Sequence, residues 1–238
     1  MNARRAVGGL ILAAGIGVAG SIPAHATTTP AVTVESAGTV LVDAPTQVVA
    51  RTTQVTFTVR VRTTTRTIGG VYEASIYTQS PYSDYGMGMT GWGQSDTPWV
   101  PVTVTVDTAW TGWGTLPLLA CDDATGECEA ATTSIKRQSR AAVTHAETLG
   151  HGKVAVAVRV THYDPARRAW VGSNRSPVRI QQYTARGWVT VADVTTNRDG
   201  LAGAVITARP GYRLFRSVRL TGETVTAAVS RPVRVRVV

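Results

Sequence analysis

Valine recurs at every second position over long stretches of this 238-residue chain, and that pattern limits what it can become. Residues 153–160 read Lys-Val-Ala-Val-Ala-Val-Arg-Val, and residues 54–62 carry Val55, Phe57, Val59 and Val61 between Thr and Arg. Successive side chains of an extended strand point to opposite faces, whereas a helix repeats every 3.6 residues. These stretches therefore have one apolar side only as strands. Val and Thr also favour pleated, half-buried surfaces. The pattern predicts an all-β protein.

The same reading places strands at 31–34, 39–42, 54–62, 70–77, 99–106, 114–120 and 129–136, and then at 142–149, 153–160, 177–183, 188–194, 201–208, 212–220 and 225–237. Turns fall at Ala185-Arg186-Gly187, Asn197-Arg198-Asp199-Gly200 and Arg209-Pro210-Gly211, where Gly and Pro interrupt the alternation. Short strands at regular spacing argue for sandwiches. Charge divides the chain. Residues 27–140 hold seven Lys or Arg against ten Asp or Glu, and residues 141–238 hold fifteen against five. A step of this kind predicts two units with different surfaces, over 27–138 and 141–238. Residues 138–144 contain neither Pro nor Gly and read as a short junction between halves that pack together. Nearly all the positive charge is Arg, a usage that with the Ala, Val and Thr bias looks like a high-GC actinobacterial genome.

The N-terminus reads as an export signal. Arg4 and Arg5 precede an apolar stretch at 7–19, and Ala24-His25-Ala26 supplies an A-x-A cleavage site. The apolar stretch is too short to span a bilayer. Residues 1–26 are thus expected to be removed, leaving a secreted or extracellular protein that begins near Thr27. With no Cys after the cleavage site, no sorting tail and no apolar C-terminal segment, no transmembrane anchor is expected. The product is expected to be released or held to the cell wall non-covalently. In that compartment Cys121 and Cys128 are expected to pair.

Chemistry-bearing residues are thinly spread. His145, His151 and His162 lie at strand turns and ends without a nucleophile elbow or metal-ligand spacing, and read as exposed. Asp122, Asp123, Glu127 and Glu129 surround the cysteine loop and offer a weak calcium alternative. They lack the order of a calcium loop and otherwise read as a solvated hairpin tip. No cofactor and no catalytic residue is assigned. Eight of the fifteen aromatics fall between Tyr72 and Trp113. Within that span residues 80–97 show no strand period and read as a long Gly-rich loop bearing Tyr82, Tyr85 and Trp92, followed by Trp99. Tyr and Trp among Gly and Ser suit a binding loop, and flat rings also stack on sugars. The other reading makes Trp99, Trp110 and Trp113 core residues. In the basic half Arg213, Arg216, Arg219, Arg234 and Arg236 alternate with apolar residues, which puts them on an outward sheet face. An anionic wall polymer is the expected contact for such a face in an exported protein, and nucleic acid is not.

One resemblance is specific enough to name. Val178-Arg179-Ile180-Gln181, Gly187-Trp188-Val189-Thr190-Val191, Thr196-x-x-Asp199-Gly200, Pro210-Gly211-Tyr212-Arg213-Leu214 and Ser230-x-x-Val233-x-Val235 together resemble the bacterial immunoglobulin-like domain of exported actinobacterial surface proteins. The resemblance covers about 141–238. It implies a sandwich with Tyr212 at a tyrosine corner and Leu214 where a second immunoglobulin cysteine would stand. Residues 107–126 resemble the last hairpin of an immunoglobulin-like or PKD-like domain, so 27–138 is expected to be a divergent second copy. Two tandem Ig-like β-sandwich domains after a cleaved signal peptide are the expected architecture. The expected function is a non-catalytic interaction or adhesion protein whose partner is a cell-wall polymer, surface glycan or protein. A carbohydrate-binding module using the aromatic loop at 80–99 is the alternative, and a secreted enzyme is disfavoured.

Overall fold

The computed structural model describes residues 27–28, 40–79 and 87–238. The leader expected at 1–26, the strand expected at 31–34, and Tyr82 and Tyr85 lie outside the described residues. The regular structure of the first half is β1 (Thr27–Thr28), β2 (Leu41–Asp43), β3 (Val48–Ala50), β4 (Gln54–Arg62), β5 (Tyr72–Gln79), β6 (Met87–Ser95), β7 (Trp99–Asp107), the four-residue helix α1 (Thr108–Thr111), β8 (Gly114–Asp122) and β9 (Cys128–Arg137). The second half contains β10 (Ser139–Gly150), β11 (Lys153–Asp164), β12 (Ala169–Gly172), β13 (Pro177–Thr184), β14 (Gly187–Thr195), β15 (Leu201–Thr207), β16 (Gly211–Arg219), β17 (Ala228–Val229) and β18 (Val233–Val237). The protein is all-β, and no helix among the described residues is long and apolar enough to cross a membrane.

One connection pattern occurs twice. In the first half β2-β4-β7 form one sheet and β9-β8-β5-β6 run consecutively in another, which β3 and β1 extend. In the second half β10-β11-β15 form one sheet, joined by β12, and β18-β16-β13-β14 form the other, with β17 beside β16. Each half thus sets a sheet of its first, second and fifth principal strands against one built from the rest. The alternating valines fill the space between. β4 buries Val55, Phe57, Val59 and Val61 while its intervening residues are exposed, and β7 does the same with Val100, Val102, Val104 and Val106. These pack with Ile76, Leu116, Leu118 and Ile135 into one apolar cluster. Val154, Val156, Val158 and Val160 pack with Ile180, Phe215, Val235 and Val237 into a second. The β10–β11 hairpin turns through His151 and Gly152, both at positive φ (51° and 70°), the two-residue connection whose twist matches that of the strands.

Three expectations need correction. Residues 87–95, read as part of a loop, are strand β6, paired along β5 from Tyr72↔Ser95 to Gln79↔Met87. Glycine hid the period, and the structure shows why glycine is there. A Cβ on Gly91 would stand 2.5 Å from the Thr103 carbonyl oxygen, and one on Gly93 would stand 2.5 Å from that of Pro101. Backbone from the other sheet occupies the space a side chain would need, and β6 lies close against β7. Second, 138–144 is no linker, since Gln138 alone separates β9 from β10. Third, β16 is turned one residue from expectation. Phe215 is fully buried while Leu214 is half-buried, and Tyr212, expected at a corner, is 59% exposed with the Arg234 guanidinium 3.9 Å from its ring centroid.

The halves meet through polar contacts. The Arg137 backbone N–H donates to Thr224 O (2.9 Å), and the Thr226 N–H donates to Arg137 O (3.1 Å). Lys136 Nζ donates to Thr221 Oγ1 (3.3 Å), and within the second half Ser139 Oγ donates to Thr226 O (2.6 Å) and anchors the segment that Arg137 meets. Arg51, from the first half, donates to Gln138 and stands 5.7 Å from the Trp170 ring centroid, which Arg140 approaches at 3.8 Å.

Replacing Gly91 by Val is expected to destabilise the protein by about 2–3 kcal/mol, because the added atoms meet backbone that cannot step aside. Met89→Val on the outward face should change stability by less than about 0.5 kcal/mol. Urea unfolding of both variants checks this, and equal stability would show that β6 and β7 are not in close contact.

Candidate functional site

The outer face of the β9-β8-β5-β6 sheet gathers exposed apolar side chains. Alternation with Ala74 and Ile76 places Ser75 and Tyr77 on the outer side of β5, and Leu119 and Cys121 on that of β8; Tyr77 and Leu119 are half-buried there, and Ser75 and Cys121 are covered. Register then sets two rows across the sheet, Trp92–Ser75–Cys121–Cys128 and Met89–Tyr77–Leu119. Trp92 is 49% and Met89 60% exposed. The Gln79 and Met87 ends of β5 and β6 lie on the Met89 side of this face. Tyr77, Leu119, Cys121, Asp122, Asp123, Gly126 and Cys128 line an open depression of about 510 Å³ on this face.

The tip beside the depression is internally braced. Cys121 and Cys128 face each other in register and form a disulfide with Cα atoms 4.1 Å apart, which closes a loop small enough to contribute about 2 kcal/mol in the chain-entropy view. Two of the carboxylates considered for calcium, Asp122 and Asp123, have protein partners. Asp122 is fully buried, with Oδ1 accepting from Ala124 N (2.9 Å) and Oδ2 from Thr64 N (3.3 Å). Asp123 Oδ2 accepts from Ser75 Oγ (2.9 Å), and Glu127 is exposed at the turn. Asp122 thus acts as a turn brace rather than as part of a solvated tip.

Trp99 does not share this face. It opens β7 on the outside of the β2-β4-β7 sheet, half-buried, with the Arg60 guanidinium 5.1 Å from its ring centroid. Trp113 packs against the first core, whereas Trp110 on α1 is 62% exposed.

The five arginines divide. Arg219 is only 4% exposed, contrary to expectation, and its guanidinium donates to Leu220 O (2.9 Å), Val225 O (3.2 Å) and Thr226 O (2.5 Å). It follows Phe215 and Ser217 on the inward side of β16 and holds the 220–226 segment that meets Arg137. Arg213 donates to Arg209 O (3.0 Å) and Pro210 O (2.8 Å), bracing its own turn. Arg216, Arg234 and Arg236 lie on the outward face. Arg216 stands 4.2 Å from the Trp188 ring centroid and donates through Nε to Gln181 Oε1 (2.9 Å). Alternation predicted outward arginines, but the inward turn of Arg219 had no signal in a strand of mixed residues.

His162, read as exposed, is half-buried where the halves meet. Its Nε2 lies 3.2 Å from the Arg137 guanidinium and its Nδ1 2.9 Å from Ser173 Oγ. A guanidinium only donates, so Nε2 accepts and the proton sits on Nδ1, which donates to Ser173. Burial, and then the Arg137 charge, hold this imidazole below its ordinary pKa; Arg219 acts in the same direction and Asp164 opposes.

The unfolded state therefore takes up the His162 proton first as pH falls. The folded protein has its full share of this stability above the ordinary pKa of 6.5, loses it as pH drops through that value, and reaches a floor below the folded pKa. His162→Gln keeps an acceptor for Arg137 and removes the titration. Melting curves from pH 8 to 5 should show a shallower acid loss in the variant, and identical slopes would place His162 outside this linkage.

No protein-family model matches the chain, and no curated protein matches it in sequence.

Proposed function

We propose that the chain is a non-catalytic exported protein that binds a partner at the cell envelope or outside the cell, through the outer face of β9-β8-β5-β6. The observation that carries this reading is the apolar surface on that face: exposed Trp92 and Met89 and half-buried Tyr77 stand beside a depression walled by the disulfide. Large exposed side chains gathered on one rigid face mark interaction sites. The charged n-region, apolar stretch and A-x-A site support export, and a disulfide fits an oxidising compartment.

The reading takes each half as an Ig-like sandwich, over 27–138 and 141–238. Two features support it: in both halves a sheet of the first, second and fifth principal strands (three strands in the first half, four with β12 in the second) accompanies a G-F-C-C′-ordered one, and the apolar clusters are separate. The basic half would hold the protein to an anionic envelope polymer while the first half makes the specific contact. A carbohydrate-binding module is the second reading, favoured by the flat, half-exposed indole of Trp92 on β6.

Binding of the mature protein to purified cell wall and to a neutral glycan panel tests this. Trp92→Ala should weaken wall binding by about 2 kcal/mol, roughly thirtyfold, whereas Trp110→Ala, exposed away from this face, should leave it unchanged. Glycan-panel binding lost with Trp92 would favour the carbohydrate module. Wall binding indifferent to Trp92 and Tyr77 would overturn the assigned face.

A further inference from the structure

On the outer face of β18-β16-β13-β14, arginines and aromatic rings are interleaved. Register sets Gln181 beside Arg216, Tyr183 beside Trp188, Leu214 beside Arg234 and Tyr212 beside Arg236. Two guanidiniums lie over rings, Arg216 at 4.2 Å from Trp188 and Arg234 at 3.9 Å from Tyr212, and the Trp188 ring meets Tyr183 edge-on at 5.3 Å. Stacking fixes the plane of a guanidinium; Arg216 gives its Nε to Gln181 (2.9 Å) and leaves the edge between its two Nη atoms for a planar oxyanion. Among the described residues none of the ion pairs includes Arg216, Arg234 or Arg236; the one pair on this sheet is Arg179 with Asp193 (3.4 Å). Positive charge is thus concentrated here without internal compensation, in the half of the chain with fifteen basic residues against five acidic. Beside these forks Tyr183 is 52% and Tyr212 59% exposed, so apolar ring surface and anion-binding edges alternate on one rigid plane.

We propose that this face binds a carboxylate-bearing polysaccharide, with Arg216, Arg234 and Arg236 taking the carboxylates and Tyr183, Tyr212 and Leu214 lying against the sugar rings. The proposal rests on the envelope-attachment reading of the basic half and names the class of polymer. Forks alone would suit any polyanion. The exposed rings between them favour a chain whose units carry both a flat C–H face and a carboxylate. Arg216 and Arg234 project from diagonal positions on neighbouring strands, a separation of about 7–8 Å that is somewhat less at their Cβ atoms. A single sugar acid therefore engages one fork, and a polymer engages both.

The test is titration of the full mature protein with polygalacturonate, monomeric galacturonate, neutral dextran, polyphosphate and double-stranded DNA at fixed salt. Polygalacturonate should bind, weaken as salt rises, and exceed the monomer by at least about a hundredfold. Arg216→Gln and Arg234→Gln should each reduce polymer affinity about tenfold, with unchanged melting showing that the fold is intact. Arg→Lys at both positions keeps the charge but loses fork and stacking, and should recover little. Trp92→Ala should leave this binding untouched, which separates its failure from failure of the first-half contact site. Equal binding of dextran, equal or tighter binding of polyphosphate or DNA, or full affinity in the Gln variants would each overturn the proposal.

Discussion

Everything in this structure depends on burying every second residue of a strand against a facing strand that does the same. Four alternate apolar residues on each of β4, β7 and β11, all valine but for Phe57, give one buried side per strand, and these sides pack into the two apolar clusters. Burial of a valine contributes on the order of 1.5–3 kcal/mol, so the fully buried valines of the two clusters dominate the stabilisation. Even β6 follows this constraint. Where β6 comes too close to β7 for any side chain, its inward positions are glycine.

The alternation also separates the core from the working surface. Each inward residue leaves its neighbours facing out, and both halves place aromatic rings on the outer face of the sheet ordered β9-β8-β5-β6 or β18-β16-β13-β14. In the first half those rings stand with Met89 and Leu119 beside the disulfide. In the second they lie beneath guanidiniums. Arginine over an aromatic ring recurs elsewhere, at Arg60–Trp99, Arg66–Tyr72 and Arg140–Trp170. The rings thus fix the orientation of long cationic side chains on an otherwise flat surface. The place where the halves meet is different in kind. It is built from Arg137, Arg219 and His162 with hydrogen-bonded Ser and Thr, and burial lowers the pKa of both guanidiniums.

Where periodicity was strong the sequence was legible. The alternation at 54–62 coincides with β4, the strands expected at 177–183 and 188–194 pair as the β13–β14 hairpin, and Cys121 and Cys128 form the expected disulfide. Three kinds of feature were not visible. β3, β12 and β17 are too short to show a period. β6 is a strand set by an opposing backbone, and its glycines read as loop. The inward turns of Phe215 and Arg219 depend on which face of β16 meets the core, and that strand carries apolar and basic residues on both faces. Trp92 was found from composition alone, but its neighbours Tyr77 and Leu119 are far apart in sequence and become a surface only through register.

The central claim is that alternate-residue burial builds two separate cores joined by polar contacts. Hydrogen exchange on the intact mature protein tests it most directly, comparing Val59→Ala in the first cluster with Val158→Ala in the second. Val59→Ala should speed exchange along β4, β7 and β8 while β11, β13 and β16 keep wild-type protection, and Val158→Ala should do the reverse. Equal loss of protection in both halves from either substitution would contradict the account.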